Sequence, residues 1–550
     1  MEKLQSDSAV LPVGVERTRR SFVASGIAAV ALSGPLGSWG PRGSVFAARE
    51  ARNVDGAWRT LARSISGPVL RPGDPGFAEL ALPYNLRAAS VLPAGIARCL
   101  NAPDVAEAIK WSRRYGFPLV ARSGGHSSAD FSVTRGLMID TKLMNQAQFD
   151  RRTGVARIGG GCLNADVYRA LRQNDATITH GRCPTVGAAG FLLGGGIGFN
   201  IRRLGVAVDS LVASQIVTAD GEIVPVSEDE NGDLFWACRG GGGGNFGINT
   251  SFSVQTSPAP ASVTASRLIW DAKADTVLPA LLAALEDSPT SLGSWTTVTG
   301  VTPKELAAGQ DVSVVFEGQL VGPPTELAKI LAPVYTVAQP AQSTIEELGY
   351  WDAQENFFSD TPKPTEFQNR SLYFFGPVRP EAIETALYWL RRWPGTSIYA
   401  NLSFLQTGGR ASTVPADATA FVHRDNNWFM LWYLKWSGSD SVDSVEANLA
   451  WLGDFYDAIS PYAIPQAYQN FLDPSLTDFL QQYYATNLRR LEKIKAAVDP
   501  HRVFNFPQAI PPASGRDIGR MRPAGPDWRD GPEDIPREDI VTTADEPAAS

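Results

Sequence analysis

The chain has 550 residues, 44% hydrophobic and 19% charged, with a net charge of −8 and 51 glycines. That length exceeds a usual single core and predicts two domains; the acidic balance argues against a phosphate-binding surface, with no nucleic-acid partner expected, and leaves neutral substrates open. Four cysteines (Cys99, Cys162, Cys183, Cys238) and four histidines (His126, His180, His423, His501) are scattered without metal-ligand spacing, which excludes a disulfide scaffold and predicts that no metal is bound.

At the N-terminus, Arg17-Thr18-Arg19-Arg20-Ser21-Phe22 precedes an apolar run to Leu32, and Val45-Phe46-Ala47-Ala48 offers a small-residue cleavage site. Residues 1–48 therefore predict an export signal, of the twin-arginine kind or an ordinary secretory one, and a periplasmic or extracellular protein. A protein that must take up a cytosolic cofactor has to cross the membrane folded, which favours the twin-arginine route. No later stretch is long and apolar enough to span a bilayer, so stable membrane insertion is not expected.

Residues 49–93 are rich in Gly and Pro and read as irregular. Asn101 to Gly116 has helical spacing with Asp104 as its N-cap, Phe117–Ala121 reads as a buried strand, and Gly136–Leu143 as another that closes on Asp140. A short helix follows at Ala165–Gln173, then a turn-rich run from His180 through Gly194-Gly195-Gly196. Ala213–Val226 reads as a β-hairpin around Asp220-Gly221. Asp233–Arg239 looks helical and leads into five consecutive glycines, Gly240 to Gly244. After residue 258 strand and helix patterns alternate at Val312–Leu320, Glu381–Arg392, Ser397–Leu405, Trp428–Trp436 and Val442–Ile459, predicting a second α+β unit. Tyr483–Val498 is a charged amphipathic helix closed by Asp499-Pro500, and residues 513–550 read as a disordered acidic tail.

Glycine runs let backbone approach a ligand closely and present N–H groups to phosphates. None here fits the dinucleotide fingerprint or the lysine-bearing phosphate loop. Two of the loops carry nucleophiles. His126 follows Gly124-Gly125 at a strand end, and Cys183 precedes Pro184 in the turn-rich run. Imidazole and thiol can both add to an electron-poor ring; taken singly, His126 could be a turn histidine and Cys183 a buried inert thiol.

Arg122-Ser123-Gly124-Gly125-His126-Ser127, Cys183-Pro184-Thr185-Val186-Gly187 and Gly194-Gly195-Gly196-Ile197-Gly198 resemble the berberine bridge enzyme-like family, within the vanillyl alcohol oxidase superfamily. Thr419 to Arg424, Tyr468-Gln469-Asn470-Phe471, Tyr484 to Asn487 and Phe504 to Gln508 agree in the same order, so the resemblance spans roughly residues 75–512. It implies an α+β fold of two domains. The FAD-binding domain would take residues 49–257 and 466–512. The substrate domain, 258–465, would be an antiparallel sheet with helices on one face. FAD would be held covalently by His126 and Cys183. Gly124, Gly125, Gly190, Gly194 and Gly195 would wrap the pyrophosphate and ring, with Arg122, Ser123, Ser127, Gly187 and Gly198 completing the loops. The backbone near Val217 would meet the adenine, and Asn487 and Asn505 would lie along the cofactor.

The family oxidises an alcohol, hemiacetal or amine while a base, usually a tyrosine, takes the substrate proton. Members often read Tyr-x-Asn-Tyr where this chain ends in Phe471, so Tyr468 is the candidate base; a phenol there needs a nearby positive charge or a hydrogen bond to its phenolate. Val186 stands where valine accompanies oxidases and leucine accompanies dehydrogenases, which predicts reduction of dioxygen to hydrogen peroxide. Gln368, Asn369, Arg370 and the aromatic stripe containing Trp432 are the substrate-side candidates; the first three could equally belong to a surface loop, and such a stripe is either a sugar-stacking platform or core. His423-Arg424-Asp425 reads as a structural ion pair. Three functions compete: a carbohydrate oxidase acting at an anomeric carbon, an alcohol or amine oxidase or dehydrogenase of specialised metabolism, and a flavin-free glycan-binding protein.

Overall fold

The computed structural model describes residues 54–357 and 363–513, so the expected export segment and, apart from Ala513, the acidic tail lie outside the described residues. The chain divides after Asp55, and every sheet belongs to the unit that begins at Gly56.

The first sheet has four strands in the order β1-β2-β4-β3: β1 (Val69–Leu70), β2 (Gly95–Arg98), β3 (Leu119–Arg122) and β4 (Leu137–Asp140). β2 and β3 both run parallel to β4, and the crossover between them is the helix Ala102–Tyr115. β4 is buried along its whole length, as expected of a central parallel strand with a continuous Leu-Met-Ile run. The segment before it is less irregular than its composition predicts: residues 56–64 are helical, and so is Phe77–Ala81. The crossover helix is capped by Asn101, whose side chain accepts from Asp104 N. Asp104 therefore lies inside the first turn. Its carboxylate accepts from the backbone N–H groups of Ser66, Gly67 and Leu100 at 2.8, 3.1 and 2.9 Å, so it fastens the chain preceding β1 to the helix rather than capping it.

The second sheet is antiparallel, in the order β5-β6-β10-β8-β9: β5 (Ala147–Asp150), β6 (Val155–Gly159), β8 (Leu211–Val217), β9 (Ile223–Ser227) and β10 (Ile248–Gln255). The expected hairpin is β8–β9, with Val217 opposite Ile223 across the turn. Two short strands, β7 (Ala176–Thr177) and β11 (Ser257–Pro258), pair with each other.

The third sheet has seven antiparallel strands in the order β15-β12-β14-β13-β17-β18-β16: β12 (Ser262–Trp270), β13 (Leu292–Thr299), β14 (Ser313–Leu320), β15 (Gln342–Gly349), β16 (Glu366–Phe374), β17 (Tyr399–Gln406) and β18 (Trp428–Trp436). The helices Ala274–Glu286, Pro324–Val337, Pro380–Leu390 and Val442–Ile459 bury their apolar stripes on one face of it, against Leu268, Phe316, Leu402, Trp432 and Leu434. The other face packs in part against Ile197, Ile201, Phe421 and Tyr468 through Tyr373, Leu405 and Phe429, and in part lines a cavity.

The C-terminal segment returns to the second sheet. It is not the single helix its periodicity predicts: Ala485 takes a φ of 40° and splits it into Phe479–Tyr484 and Leu488–Val498. Lys495 and Asp499 form a fully buried pair at 2.6 Å. The ammonium also donates to the carbonyls of Asn245 and Phe504 at 2.6 and 2.8 Å. With all three protons used, the desolvation cost of that burial is largely offset, and the return segment is pinned to the loop after the glycine run. Among the described residues no helix is long and apolar enough to cross a membrane.

Candidate active site

β3 ends at Arg122, and the chain turns through Ser123-Gly124-Gly125 to present His126. The second loop, 180–187, leads into the helix Ala188–Leu193. The two loops meet backbone to backbone. A Cβ on Gly124 would sit 2.2 Å from Gly187 N, and one on Gly187 would sit 2.4 Å from Gly124 N. No other residue type fits at either position without separating the loops.

This approach brings the two nucleophiles to a common hydroxyl. His126 Nε2 lies 3.0 Å from Thr185 Oγ1, and Cys183 Sγ lies 3.3 Å from the same oxygen. The His126 ring stacks on Tyr84 with centroids 3.8 Å apart. Burial lowers the His126 pKa from 6.5 to about 4, with the nearby Lys142 adding to the effect, so the imidazole is neutral at physiological pH.

Both residues face a cavity of about 710 Å³ lined from all three sheets, a volume within the range of small-molecule sites. Its walls include Ser123, Gly124, Gly125, His126, Ser127, Cys183, Val186, Gly187, Gly190, Gly198, Tyr468 and Asn505, all of them sequence-level candidates. Gly190 has nothing within 4 Å of where a Cβ would stand. Across from it run Gly242, Gly243 and Gly244, the part of the five-glycine run to which the sequence assigns no role. The Ser123 hydroxyl is buried without a partner. A cleft walled by bare backbone, with an orphaned hydroxyl and two nucleophiles at its waist, fits a long phosphate-bearing cofactor such as FAD.

Other candidates lie elsewhere, each for a visible reason. Arg122 turns back and donates to the carbonyls of Ser132, Leu80 and Ala81. Gly194 and Gly195 make room for the Asn470 side chain and the Phe421 ring. The Val217 side chain is fully buried in the core beneath the crossover helix, while its backbone, the part expected to meet the adenine, pairs with Ile248 of the cavity wall. Asn487 donates to the carbonyls of Ala416 and Thr419, fastening the segment that carries His423. Arg424 does form a buried ion pair, with Asp209 at 2.6 Å rather than with Asp425, and His423 sits between Gln466 and Gln469.

Of the substrate-side candidates Asn369 lines the cavity, and the others are displaced by one residue. Gln368, Arg370 and Trp432 point to the far side of the third sheet. Arg370 pairs with Asp473 at 2.7 Å and covers the Tyr456 ring; Gln368 accepts from Arg87; Trp432 packs edge-on against Phe455 and Tyr456. Their neighbours Phe367, Asn369, Leu431, Tyr433 and Lys435 line the cavity instead. Register places Asn369, Tyr433 and Asn401 in one row across β16, β18 and β17, and Phe367, Lys435 and Tyr399 in the next. Strand alternation makes this set recoverable from sequence once one face is known to be core. Replacing Trp432 with alanine should cost about 3–5 kcal/mol of stability and leave KM unchanged, whereas Tyr433→Ala should raise KM. Urea melts and steady-state kinetics of both variants test the assignment of faces.

Tyr468 is buried at the cavity wall. Its hydroxyl accepts from Gly196 N at 2.8 Å and from Asn470 Nδ2 at 3.0 Å. Burial raises its pKa above the ordinary tyrosine value, and these hydrogen bonds oppose that rise by favouring the phenolate.

Family models match an FAD binding domain over residues 93–227 and a berberine and berberine-like segment over 467–511. An uncharacterised FAD-linked oxidoreductase of Bacillus subtilis is 32% identical over 463 residues, covering 82% of this chain and 99% of that protein. A carbohydrate oxidase of Microdochium nivale is 28% identical, covering 86% and 98%. Glucooligosaccharide oxidase from Acremonium strictum superposes with a TM-score of 0.73 at 27% identity, covering 82% and 98%; that enzyme is described with a 6-S-cysteinyl, 8α-N1-histidyl FAD.

Proposed function

The chain belongs to the berberine bridge enzyme-like family of FAD-linked oxidoreductases, and we propose that it is an oxidase whose FAD is attached to both His126 and Cys183 and whose substrate is a mono- or oligosaccharide oxidised at its anomeric carbon. The observation that carries this reading is the meeting of His126 and Cys183 at one hydroxyl on the wall of a glycine-lined cavity. FAD, when bound, would supply a two-electron acceptor for the substrate that dioxygen can reoxidise. The glycines Gly190 and Gly242 to Gly244 leave room for its length, and Ser123 offers its unpartnered hydroxyl. Residues 49–257 with 466–512 make up the cofactor-binding part, and 258–465 the substrate part.

The sheet face opposite the helices supports a sugar substrate. Asn369, Asn401, Ser403 and Thr297 present amide and hydroxyl groups beside the rings of Tyr399 and Tyr433, the pairing of hydrogen-bonding groups and flat apolar surfaces that a pyranose needs. Asn369 Oδ1 is buried without a protein partner, and a substrate hydroxyl would satisfy it. Tyr468 takes the proton of the anomeric hydroxyl, its phenolate held by Gly196 N and Asn470. The arginine pair Arg19-Arg20 marks the protein for export. A peroxide assay across neutral sugars and alcohols tests the substrate class, and turnover of alcohols or amines alone would move the protein to specialised metabolism. Acid-stable flavin absorbance separates both readings from a flavin-free glycan-binding protein.

Val186 lines the cavity next to the nucleophile loop. Val186→Leu should lower turnover with dioxygen by about tenfold or more, ~1.4 kcal/mol in barrier, while dye reduction persists. Equal loss with both acceptors would count against a role in oxygen access.

A further inference from the structure

The two nucleophiles share more than a neighbourhood. Thr185 Oγ1 is the polar atom between them, 3.0 Å from His126 Nε2 and 3.3 Å from Cys183 Sγ. The loop that carries Thr185 is held on both sides. Asn164 N donates to Val186 O at 2.9 Å, Ala165 N to Pro184 O at 3.0 Å, and Asn164 Nδ2 to Cys183 O at 3.0 Å. On the opposite side, the Tyr84 ring fixes the plane of His126, and Tyr84 N donates to Gly125 O.

A hydroxyl has one proton to give, so the chain of hydrogen bonds has two possible polarities. In one, the Cys183 thiol donates to Thr185 and Thr185 donates to His126 Nε2. The neutral imidazole then carries its proton on Nδ1, the sulfur keeps its own, and neither residue is a nucleophile. In the other, His126 Nε2–H donates to Thr185 Oγ1, and the Thr185 hydroxyl donates to Cys183 Sγ. His126 then exposes the lone pair of Nδ1, and the sulfur accepts a hydrogen bond instead of giving one.

We propose that Thr185 is a positioning residue for cofactor attachment: through this second polarity its single hydroxyl selects the reactive tautomer of His126 and orients the sulfur of Cys183 by donating to it. The inference rests on the bicovalent reading and adds the residue that prepares both attachments. Attachment of each residue joins its lone pair to a carbon of the cofactor. The nucleophile's proton and the carbon's proton leave with two electrons, and dioxygen takes up electrons and protons as hydrogen peroxide.

The test compares wild-type holoenzyme with Thr185→Val, which keeps the shape and loses the hydroxyl, and Thr185→Ser, which keeps the hydroxyl. Flavin on the His126 and Cys183 peptides is quantified by mass after acid precipitation and digestion, with iodoacetamide marking any free Cys183 thiol. Thr185→Val should lower flavin on both peptides, at least fivefold on Cys183 and by less on His126, whose Nδ1 lone pair is still sampled; Thr185→Ser should restore both. Full flavin on both peptides of Thr185→Val overturns the proposal. So does an equal fall on both peptides without rescue by serine, the pattern of a merely structural residue. If Thr185→Val shows no cooperative melt, Thr185→Ala is read against the same outcomes. Wild-type protein that releases its flavin in acid would instead overturn the bicovalent reading, so the two failures are distinguishable.

Discussion

Acidification from pH 6.5 toward about 4 should destabilise the folded protein by about 3 kcal/mol per pH unit. His180 and His423 are buried, and burial lowers each pKa from 6.5 to about 4. His180 has its ring nitrogens against Gly181 O and the Tyr350 hydroxyl; His423 lies between two glutamine amides and stacks on Tyr373. Within this window the unfolded chain binds two protons that the folded chain refuses. Each histidine therefore adds about 1.4 kcal/mol per pH unit to the slope, and stability is full above pH 6.5 and falls as the pH drops. His126 adds to the loss only in protein whose imidazole is unattached. Urea melts at pH 7 and pH 5 measure the slope. His423→Gln should remove about half of it, and a flat profile across this window would show that the two histidines accept protons while folded.

Removing both attachment points should release all of the flavin. After acid precipitation, His126→Ala should keep flavin through Cys183 and Cys183→Ala should keep it through His126, while the double variant should leave the protein pellet colourless. Cys183→Ala should also turn over more slowly, by about tenfold or more (~1.4 kcal/mol), because a ring with one substituent fewer has a lower potential. A potentiometric titration of that variant separates this cause from weaker substrate binding. Free flavin from Cys183→Ala alone would remove His126 from the assignment.

The parts of the site that were legible in sequence share one property: their residue types are unusual for their surroundings. A histidine after two glycines and a cysteine in a glycine-rich turn stand out before any fold is known, and the order of the loops identifies the family. Gly124 and Gly187 are visible in the sequence as glycines, but the cause of their identity, a contact between two loops distant in the chain, exists only when both loops are folded. The same holds for Thr185, an ordinary residue until His126 arrives beside it.

The substrate face shows the opposite case. On β18 the alternation of large residues is plain, yet the pattern Trp428-Phe429-Met430-Leu431-Trp432-Tyr433-Leu434-Lys435-Trp436 is apolar on both faces, so periodicity alone does not say which face is core. The decision comes from the helices Pro380–Leu390 and Val442–Ile459, which cover the tryptophan side. That leaves Tyr433 and Lys435 to the cavity and carries Asn369 with them through the register of β16. Composition and local pattern thus sufficed for many of the elements, the two nucleophile loops and the chemistry those loops can carry, because these depend on residue type and near neighbours in the chain. Which side of each strand meets the substrate, and which glycines border the cofactor rather than a packed ring, depends on what packs against them, and that is set by contacts between residues tens to hundreds of positions apart.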